Sequence, residues 1–175
     1  KSDGRIEPET EFVNRTGSVY TLTGDISQKY SIIVQCSNIV FDGAGHTVNG
    51  YISHNRAYAD EGLRLENITA VTIKDLAVSG FGGGDISLRY SSFCLILRVK
   101  ADHIGLLNSS FNKIAESNGG LGLKYSENNV IVRNNITTLG VTDSIANNFT
   151  ENNFTSLNNL VIDEKDVDIN SPNFG

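Results

Sequence analysis

Residues 62–78 carry the pattern that decides the fold: Gly-Leu-Arg-Leu-Glu-Asn-Ile-Thr-Ala-Val-Thr-Ile-Lys-Asp-Leu-Ala-Val. Apolar and charged residues alternate from Leu63 to Glu66. After a polar corner at Asn67-Ile-Thr, the apolar alternation resumes at Val71. Alternation with a period of two is typical of half-buried strands. This unit therefore predicts two short β-strands joined by a corner.

Three later segments, residues 85–97, 103–111 and 120–132, fit the same template. The units recur about every 17 to 23 residues, a period typical of repeat proteins that stack their units to bury an apolar face. We therefore predict a β-solenoid of about seven short coils. At about 4.8 Å per coil the column would be ~35 Å tall, and its terminal strand edges are templates for further pairing.

The chain is predicted to be one domain in three parts. Residues 1–18 are polar and lack helical periodicity, which predicts an N-terminal arm or an irregular cap. Residues 19–159 carry the predicted parallel strands, and residues 160–175 add a final strand and an acidic tail. Residues 51–61 break the alternation and are expected to bulge as a loop, which is where a rigid scaffold usually carries a site.

Asparagine occurs in pairs towards the C-terminus. Asn tolerates the left-handed backbone of tight corners, and stacked Asn side chains can bond to those above and below them. The pairs therefore predict a structural ladder. They are Asn128-Asn129, Asn134-Asn135, Asn147-Asn148, Asn152-Asn153 and Asn158-Asn159.

The charge composition argues against two classes of partner. Charged residues make up 19% of the chain, the net charge is −6 and the pI is about 5.0. Without a cluster of Lys and Arg, nucleic acid and anionic membranes have no electrostatic attraction to this chain. No apolar run approaches the ~18 residues of a membrane-spanning helix.

The sequence also suggests export. Residues 1–5 do not resemble a signal peptide, so we expect that any export signal has already been removed. Six Asn-X-Ser/Thr sequons occur, which points to glycosylation of an extracellular protein, although general Asn-richness explains them as well. The six acceptor residues are Asn14, Asn67, Asn108, Asn135, Asn148 and Asn153.

The two cysteines have three possible states. Cys36 and Cys94 can form one disulfide within the chain, link two chains, or remain buried as small hydrophobic residues. We favour burial, and a link between chains is the alternative with functional consequences.

Catalysis is not expected. A β-helical polysaccharide hydrolase or lyase needs paired carboxylates, or an acidic calcium site with a nearby Arg or Lys. No two or three of the candidate carboxylates recur at one position of successive units. The candidates are Asp42, Asp60, Glu61, Asp75 and Asp85.

Histidines and tyrosines offer only weak site signals. His46, His54 and His103 share no repeat position, so neither a metal site nor any other cofactor is predicted from them. Tyr51, His54 and Tyr58 fall in the predicted loop and are candidates for contact with a glycan or another subunit. Two further tyrosines, Tyr90 and Tyr125, could join such a face or meet a neighbouring subunit instead.

Several motifs resemble the parallel β-helix repeat proteins. They are Tyr20-Thr-Leu-Thr-Gly-Asp-Ile, Asn38-Ile-Val-Phe-Asp-Gly-Ala-Gly-His-Thr-Val and Asn128-Asn-Val-Ile-Val-Arg-Asn-Asn-Ile. They are similar in particular to the NosD-like repeats of surface and sheath proteins in methanogenic archaea. The resemblance covers about residues 19–159. It implies a right-handed parallel β-helix and a family that includes carbohydrate-active enzymes, copper-delivery proteins and surface-layer components.

Two functions follow as hypotheses. The first is a structural, self-assembling subunit of an extracellular layer, sheath or filament, with itself as partner. The alternative is a secreted module that binds or degrades carbohydrate, using the predicted loop and nearby tyrosines. A repeat domain of a longer surface protein is compatible with either.

Overall fold

The computed structural model describes residues 1–6, 10–51 and 61–155, and the backbone of residues 160–162 and 167–170. Within these ranges the chain contains strands, turns and bends but no helix. Accordingly, no helix there is long and apolar enough to cross a membrane. The strands are β1 Val13–Thr16, β2 Val19–Leu22, β3 Ile26–Gln28, β4 Ile32–Val34, β5 Val40–Asp42, β6 Thr47–Gly50, β7 Leu63–Glu66, β8 Thr72–Ser79, β9 Ile86–Arg89, β10 Leu95–Leu107, β11 Lys113–Ala115, β12 Asn118–Lys124, β13 Val130–Val132, β14 Asn135–Thr142, β15 Asn147–Thr150, β16 Asn153–Phe154, β17 Leu160–Ile162 and β18 Val167–Asn170.

All the strands belong to one mixed, mostly parallel sheet that curls around an apolar core. The first stack of paired strands holds β2, β5, the starts of β8 and β10, β11, β13, β15 and β18. The second holds β3, β6, the end of β8, the middle of β10, the starts of β12 and β14, and β16. The third holds β4, β7, β9, the ends of β10, β12 and β14, and β17. The predicted all-β fold with parallel strands is confirmed.

The unit that opened the sequence analysis has the predicted local structure. β7 and β8 flank a corner, and Leu63, Leu65, Val71 and Ile73 are fully buried. Ile68, in the polar corner, is buried as well. The alternation of apolar residues with a period of two therefore correctly predicted which side chains face the core.

Inward-facing residues of successive strands stack in register. In the first stack one such column runs through Phe41, Ile73, Ile96, Ile114 and Ile131. Each of these side chains is at most 5% exposed. Burial of one such side chain contributes roughly 1.5 to 3 kcal/mol, so the columns supply most of the stabilisation.

The asparagine pairs form the predicted ladder, with one member of each described pair inside. Asn147 Oδ1 accepts hydrogen bonds from the backbone N–H and from Nδ2 of Asn129, at 3.0 and 2.9 Å. Asn129 Oδ1 accepts in turn from the N–H of Asn112 at 2.9 Å. Asn134 and Asn152 repeat the arrangement at another corner. The pair Asn158-Asn159 lies outside the described residues.

The two ends of the chain differ from its middle. β1, which lies inside the region expected to be an arm or cap, pairs antiparallel with β2. β17 and β18 both lie in the C-terminal region for which a single strand was expected.

Candidate functional site

The corner between the third and first stacks carries exposed aromatic side chains. Tyr90, Phe93, Phe111 and Tyr125 are 57%, 64%, 52% and 50% exposed. The corners are residues 90–93 after β9, 108–111 after β10 and 125–128 after β12. Each of the four aromatic residues is the first or the last residue of its corner. We call these four residues the aromatic ridge. Tyr51 is also exposed, but it follows β6 in the second stack and does not join them.

Ring stacking at the surface and hydrogen bonds of a buried serine beneath it both hold the ridge in place. The rings of Phe93 and Phe111 stack at 5.3 Å between centroids with an interplanar angle of 9°. Beneath them, the buried Ser109 hydroxyl accepts from the N–H of Ser91 at 3.1 Å and donates to the carbonyl of Leu107 at 2.9 Å. One face of each ring therefore covers one face of the other.

The ridge residues all have left-handed backbone. Their φ angles are between 51° and 58°, which bulky side chains seldom adopt. The conformation costs roughly 1–2 kcal/mol for such residues, whereas Asn128 holds the equivalent corner position with a residue that tolerates it. The same conformation occurs at other corners, at Arg98, Glu116 and Arg133, so it is a property of the corners and not of the aromatic side chains.

A shallow trough lies beside the ridge on the third stack. Gly105, Gly122 and Gly140 pair in register and face outward, since Ile104 and Leu106 on either side of Gly105 face the core. We call these three glycines the glycine trough. Because Gly105 and Gly122 carry no side chain, the ring of His103 can lie against both of them.

His103 forms one wall of the trough. A methyl group added at Gly122 would lie 3.0 Å from His103 Nε2, and one at Gly105 would lie 3.4 Å from Cε1. One at Gly140 would meet no described atom within 4 Å, and the strand that pairs with Gly140, β17, is described by its backbone alone. Burial among these backbones lowers the pKa of His103 below 6.5, although part of the ring meets solvent.

A recess of about 330 Å³ adjoins His103. Gly82, Gly83 and Gly84 form its rim, and Asp85 lies in its floor, 1% exposed. Asp85 Oδ2 accepts hydrogen bonds from the backbone N–H groups of Asp102 and His103. Burial raises the pKa of Asp85, but its oxygens are used to hold the chain together at this corner.

The other candidate carboxylates are engaged in ion pairs or turns. Asp42 binds Lys74 and also accepts from the N–H of Ala44 in its turn, at 2.9 Å. Asp75 receives two hydrogen bonds from Arg98, at 2.7 and 2.9 Å, and these lower its pKa.

The buried Glu61 pairs through Oε1 with Arg89, and its Oε2 has no hydrogen-bond partner among the described residues. Asp60 lies outside the described residues. The structure does bring Asp42 and Asp75 to the same lysine, which the sequence did not indicate.

The end of the sheet at β3 and β4 opens into an apolar cavity of about 380 Å³. We call it the N-terminal mouth. Ile26, Ile32, Val34 and Phe41 line it, with Cys36 at the wall. Ile32 is half-buried, although Leu63, its partner in register, is fully buried. The N-terminal segment lines the other side of the cavity through Ile6, Phe12 and Val13, so it partly covers this end of the core.

The six sequons lie in different environments. Asn14 is exposed in β1, and Asn67 and Asn108 are exposed at corners in the same column as Tyr90 and Tyr125. Asn135, Asn148 and Asn153 lie in strands, and Asn153 donates to Asn135 at 2.8 Å.

The remaining predicted residues are only partly described. His54 and Tyr58 lie outside the described residues. Both thiols are free, Cys94 being buried and Cys36 half-buried. The burial that we favoured therefore holds fully for Cys94 alone.

No three His, Cys, Asp or Glu side chains in the described ranges lie close enough together to hold a metal ion. His46, which contacts Asp25 at 3.3 Å, is not among the residues of the His103 recess. Comparison with protein-family models, with curated proteins and with solved structures gave no match.

Proposed function

We propose that this chain is a right-handed parallel β-helix that acts as a structural subunit of an extracellular layer, sheath or filament. Its copies join end to end by continuing the parallel ladder. The resemblance to NosD-like surface proteins of methanogenic archaea supports this proposal, as do the sequons exposed at Asn67 and Asn108.

The observation that carries the proposal is the state of the two ends. At one end β3 and β4 each pair with a single described strand, and at the other β16, β17 and β18 do the same. Unpaired strand edges are templates for pairing with another chain. In the second and third stacks the strands run in one direction, so β16 and β17 of one copy can pair in parallel with β3 and β4 of the next, whereas the first stack ends at the antiparallel β1.

The N-terminal mouth favours the same contact. Half-exposed Ile32 and exposed Ile33 would be covered by a second copy seated on this end. A disulfide between copies, one of the states predicted from the sequence, would use Cys36 at this mouth, because Cys94 is buried in the core.

The alternative, carbohydrate binding, has less support. Sugars stack on open aromatic faces, whereas one face of Phe93 and one face of Phe111 cover each other. The predicted binding loop lies mostly outside the described residues.

The test removes one hydrogen-bond donor from the edge. The N–H of Ile32 donates to the carbonyl of Gly62, the residue before β7, so the N–H of Ile33 points to the unpaired side of β4. Ile33→Pro deletes that donor, which an edge strand tolerates on its solvent side. Ile33→Thr keeps it and is the matched control.

In negative-stain electron microscopy we expect wild type and Ile33→Thr to form long filaments. We expect Ile33→Pro to form only short assemblies. Thermal unfolding by circular dichroism checks that both variants are folded. Wild-type protein that stays monomeric at high concentration, with or without a reductant, would contradict the proposal.

A further inference from the structure

We infer that strand β1 is a displaceable cap, which pairs with β2 in the free chain and yields that edge to β18 of the next copy during end-to-end assembly. The inference rests on the proposed structural role and adds its control, since the first stack can accept a neighbour only after β1 has moved aside. It also accounts for the antiparallel pairing of β1 with β2, at the start of stacks whose other described pairs are parallel. We call β1 the cap strand.

The cap strand occupies the place of a further layer in the first stack. Its four residues pair with those of β2, from Val13 with Leu22 to Thr16 with Val19. They use the edge of β2 that does not pair with β5. At the other end of the same stack, β18 pairs in parallel with β15. A parallel continuation into the next copy would therefore set β18 against the edge of β2 that the cap strand covers.

The inward column of the first stack meets different residues at its two ends. The column begins at the buried Tyr20, and its last described buried side chain is Phe149. In the cap strand, Arg15 is in register with Tyr20, and its guanidinium lies 5.3 Å from the centre of the Tyr20 ring. In β18, Ile169 is in register with Phe149. A charged residue at an inward position blunts a strand edge, whereas an isoleucine there continues the apolar pattern of the column.

The cap strand buries little of its own surface. Asn14, Arg15 and Thr16 are exposed, and Val13 is half-buried. Phe12 and Val13 line the cavity of about 380 Å³ at the N-terminal mouth without filling it. Folded interiors contain few voids larger than a water molecule. Release of the cap strand therefore gives up hydrogen bonds but little apolar packing, and the incoming strand replaces those hydrogen bonds.

A disulfide that locks the cap strand onto β2 tests the inference. Asn14 and Thr21 pair in register and face away from the core, since Tyr20 and Leu22 on either side of Thr21 are buried. The Cα separation of such a pair is at most about 5.5 Å, which suits a disulfide. Asn14→Cys with Thr21→Cys is made in a Cys36→Ser background, because Cys36 is the half-buried one of the two native thiols.

Negative-stain electron microscopy compares the oxidised and reduced forms at equal concentration. We expect the reduced form and the Cys36→Ser parent to form long filaments, and the oxidised form to give only short assemblies. If the oxidised and reduced forms lengthen equally, the inference is wrong and the end-to-end proposal stands. If the parent forms no filaments, the end-to-end proposal fails and this inference fails with it.

A second pair of variants loosens the cap strand instead of locking it. The N–H of Thr23 donates to the carbonyl of Phe12 at 3.0 Å, and hydrogen-bonded pairs alternate along an antiparallel ladder, so the N–H of Asn14 points to β2. Asn14→Pro deletes this donor, whereas Asn14→Thr keeps it, and both lose the sequon.

We expect Asn14→Pro to assemble roughly two- to tenfold faster than Asn14→Thr, as loss of one backbone hydrogen bond from the cap strand would give. Light scattering at equal concentration measures the two rates, and circular dichroism checks that both variants are folded. Equal rates, or slower assembly of Asn14→Pro, would contradict the inference.

Discussion

At the scale of a single residue, the buried carboxylate of Asp85, at the corner beside His103, makes the stability of the fold depend on pH. Its carboxylate is 1% exposed and accepts two backbone N–H groups. Burial is the largest influence and raises its pKa above 3.8. The folded chain therefore holds this proton more tightly than the unfolded chain does, and stability is lost as pH rises from 3.8 through the folded pKa.

We predict that Asp85→Asn is more stable than wild type at pH 7, because the amide oxygen still accepts both N–H groups without a buried charge. The difference in unfolding free energy should shrink as pH falls through the folded pKa and level off well below 3.8, where the carboxyl is protonated in both states. Urea unfolding between pH 3 and pH 8 measures it.

Asp85→Ala is the comparison for this prediction, since it removes the acceptors altogether. It should be less stable than Asp85→Asn by about 1–3 kcal/mol at every pH, because neither variant titrates at this position. Equal stability of Asp85→Asn and wild type across the whole range would show that the buried charge carries no cost. His103 protonation, which lowers stability as pH falls below 6.5, is common to all three proteins.

At the scale of elements, strand β15 contains a matched pair of residues that tests the ladder. Asn147 is 1% exposed, accepts two hydrogen bonds from Asn129 and donates one to the carbonyl of Ser126. Asn148, the next residue, is exposed and accepts only from the Thr150 hydroxyl. The two residues are chemically identical, but they lie on opposite faces of the sheet, so only Asn147 is buried.

We predict that Asn147→Ala lowers the unfolding free energy by roughly 2–4 kcal/mol, because buried donors and acceptors lose their partners. Asn148→Ala should change it by no more than about 0.5 kcal/mol. Chemical denaturation of both variants gives the comparison. Similar losses for the two would mean that the buried ladder is not a main source of stability.

At the scale of the whole molecule, each layer of the sheet contacts only its neighbours, so a side chain's contribution depends on how many layers cover it. Ile32, Leu63 and Ile86 share one inward column. Ile86 has layers on both sides and is 1% exposed, whereas Ile32 lines the N-terminal mouth.

We predict that Ile86→Ala costs about 2–5 kcal/mol and that Ile32→Ala costs about 1–2 kcal/mol in the monomer, since its side chain is already partly hydrated. Sedimentation velocity should first identify a protein concentration at which both variants and wild type are monomeric, and the denaturation is done at that concentration. If end-to-end copies form, the cost of Ile32→Ala should rise with protein concentration, because the second copy completes its burial. A concentration-independent cost under filament-forming conditions would count against contact at this mouth.

The sequence by itself determined the strands and their inward faces, because a period of two directly reports which side chains face a core. It also indicated the asparagine ladder, since Asn suits both a left-handed corner and a stack of amides. These are local properties, written in neighbouring residues such as Leu63 to Val71.

Only the tertiary structure decided which residues from different layers share a surface. Phe93 and Phe111 are 18 residues apart, and Gly105, Gly122 and Gly140 are separated by 17 and 18 residues. The spacing of 17 or 18 residues is visible in the sequence. The alternation of apolar residues, however, does not distinguish an exposed corner residue from a buried one. A glycine in a strand has no side chain, so the sequence does not indicate which face of the sheet it occupies. The register between layers brings these residues together, and register depends on pairing across the whole sheet.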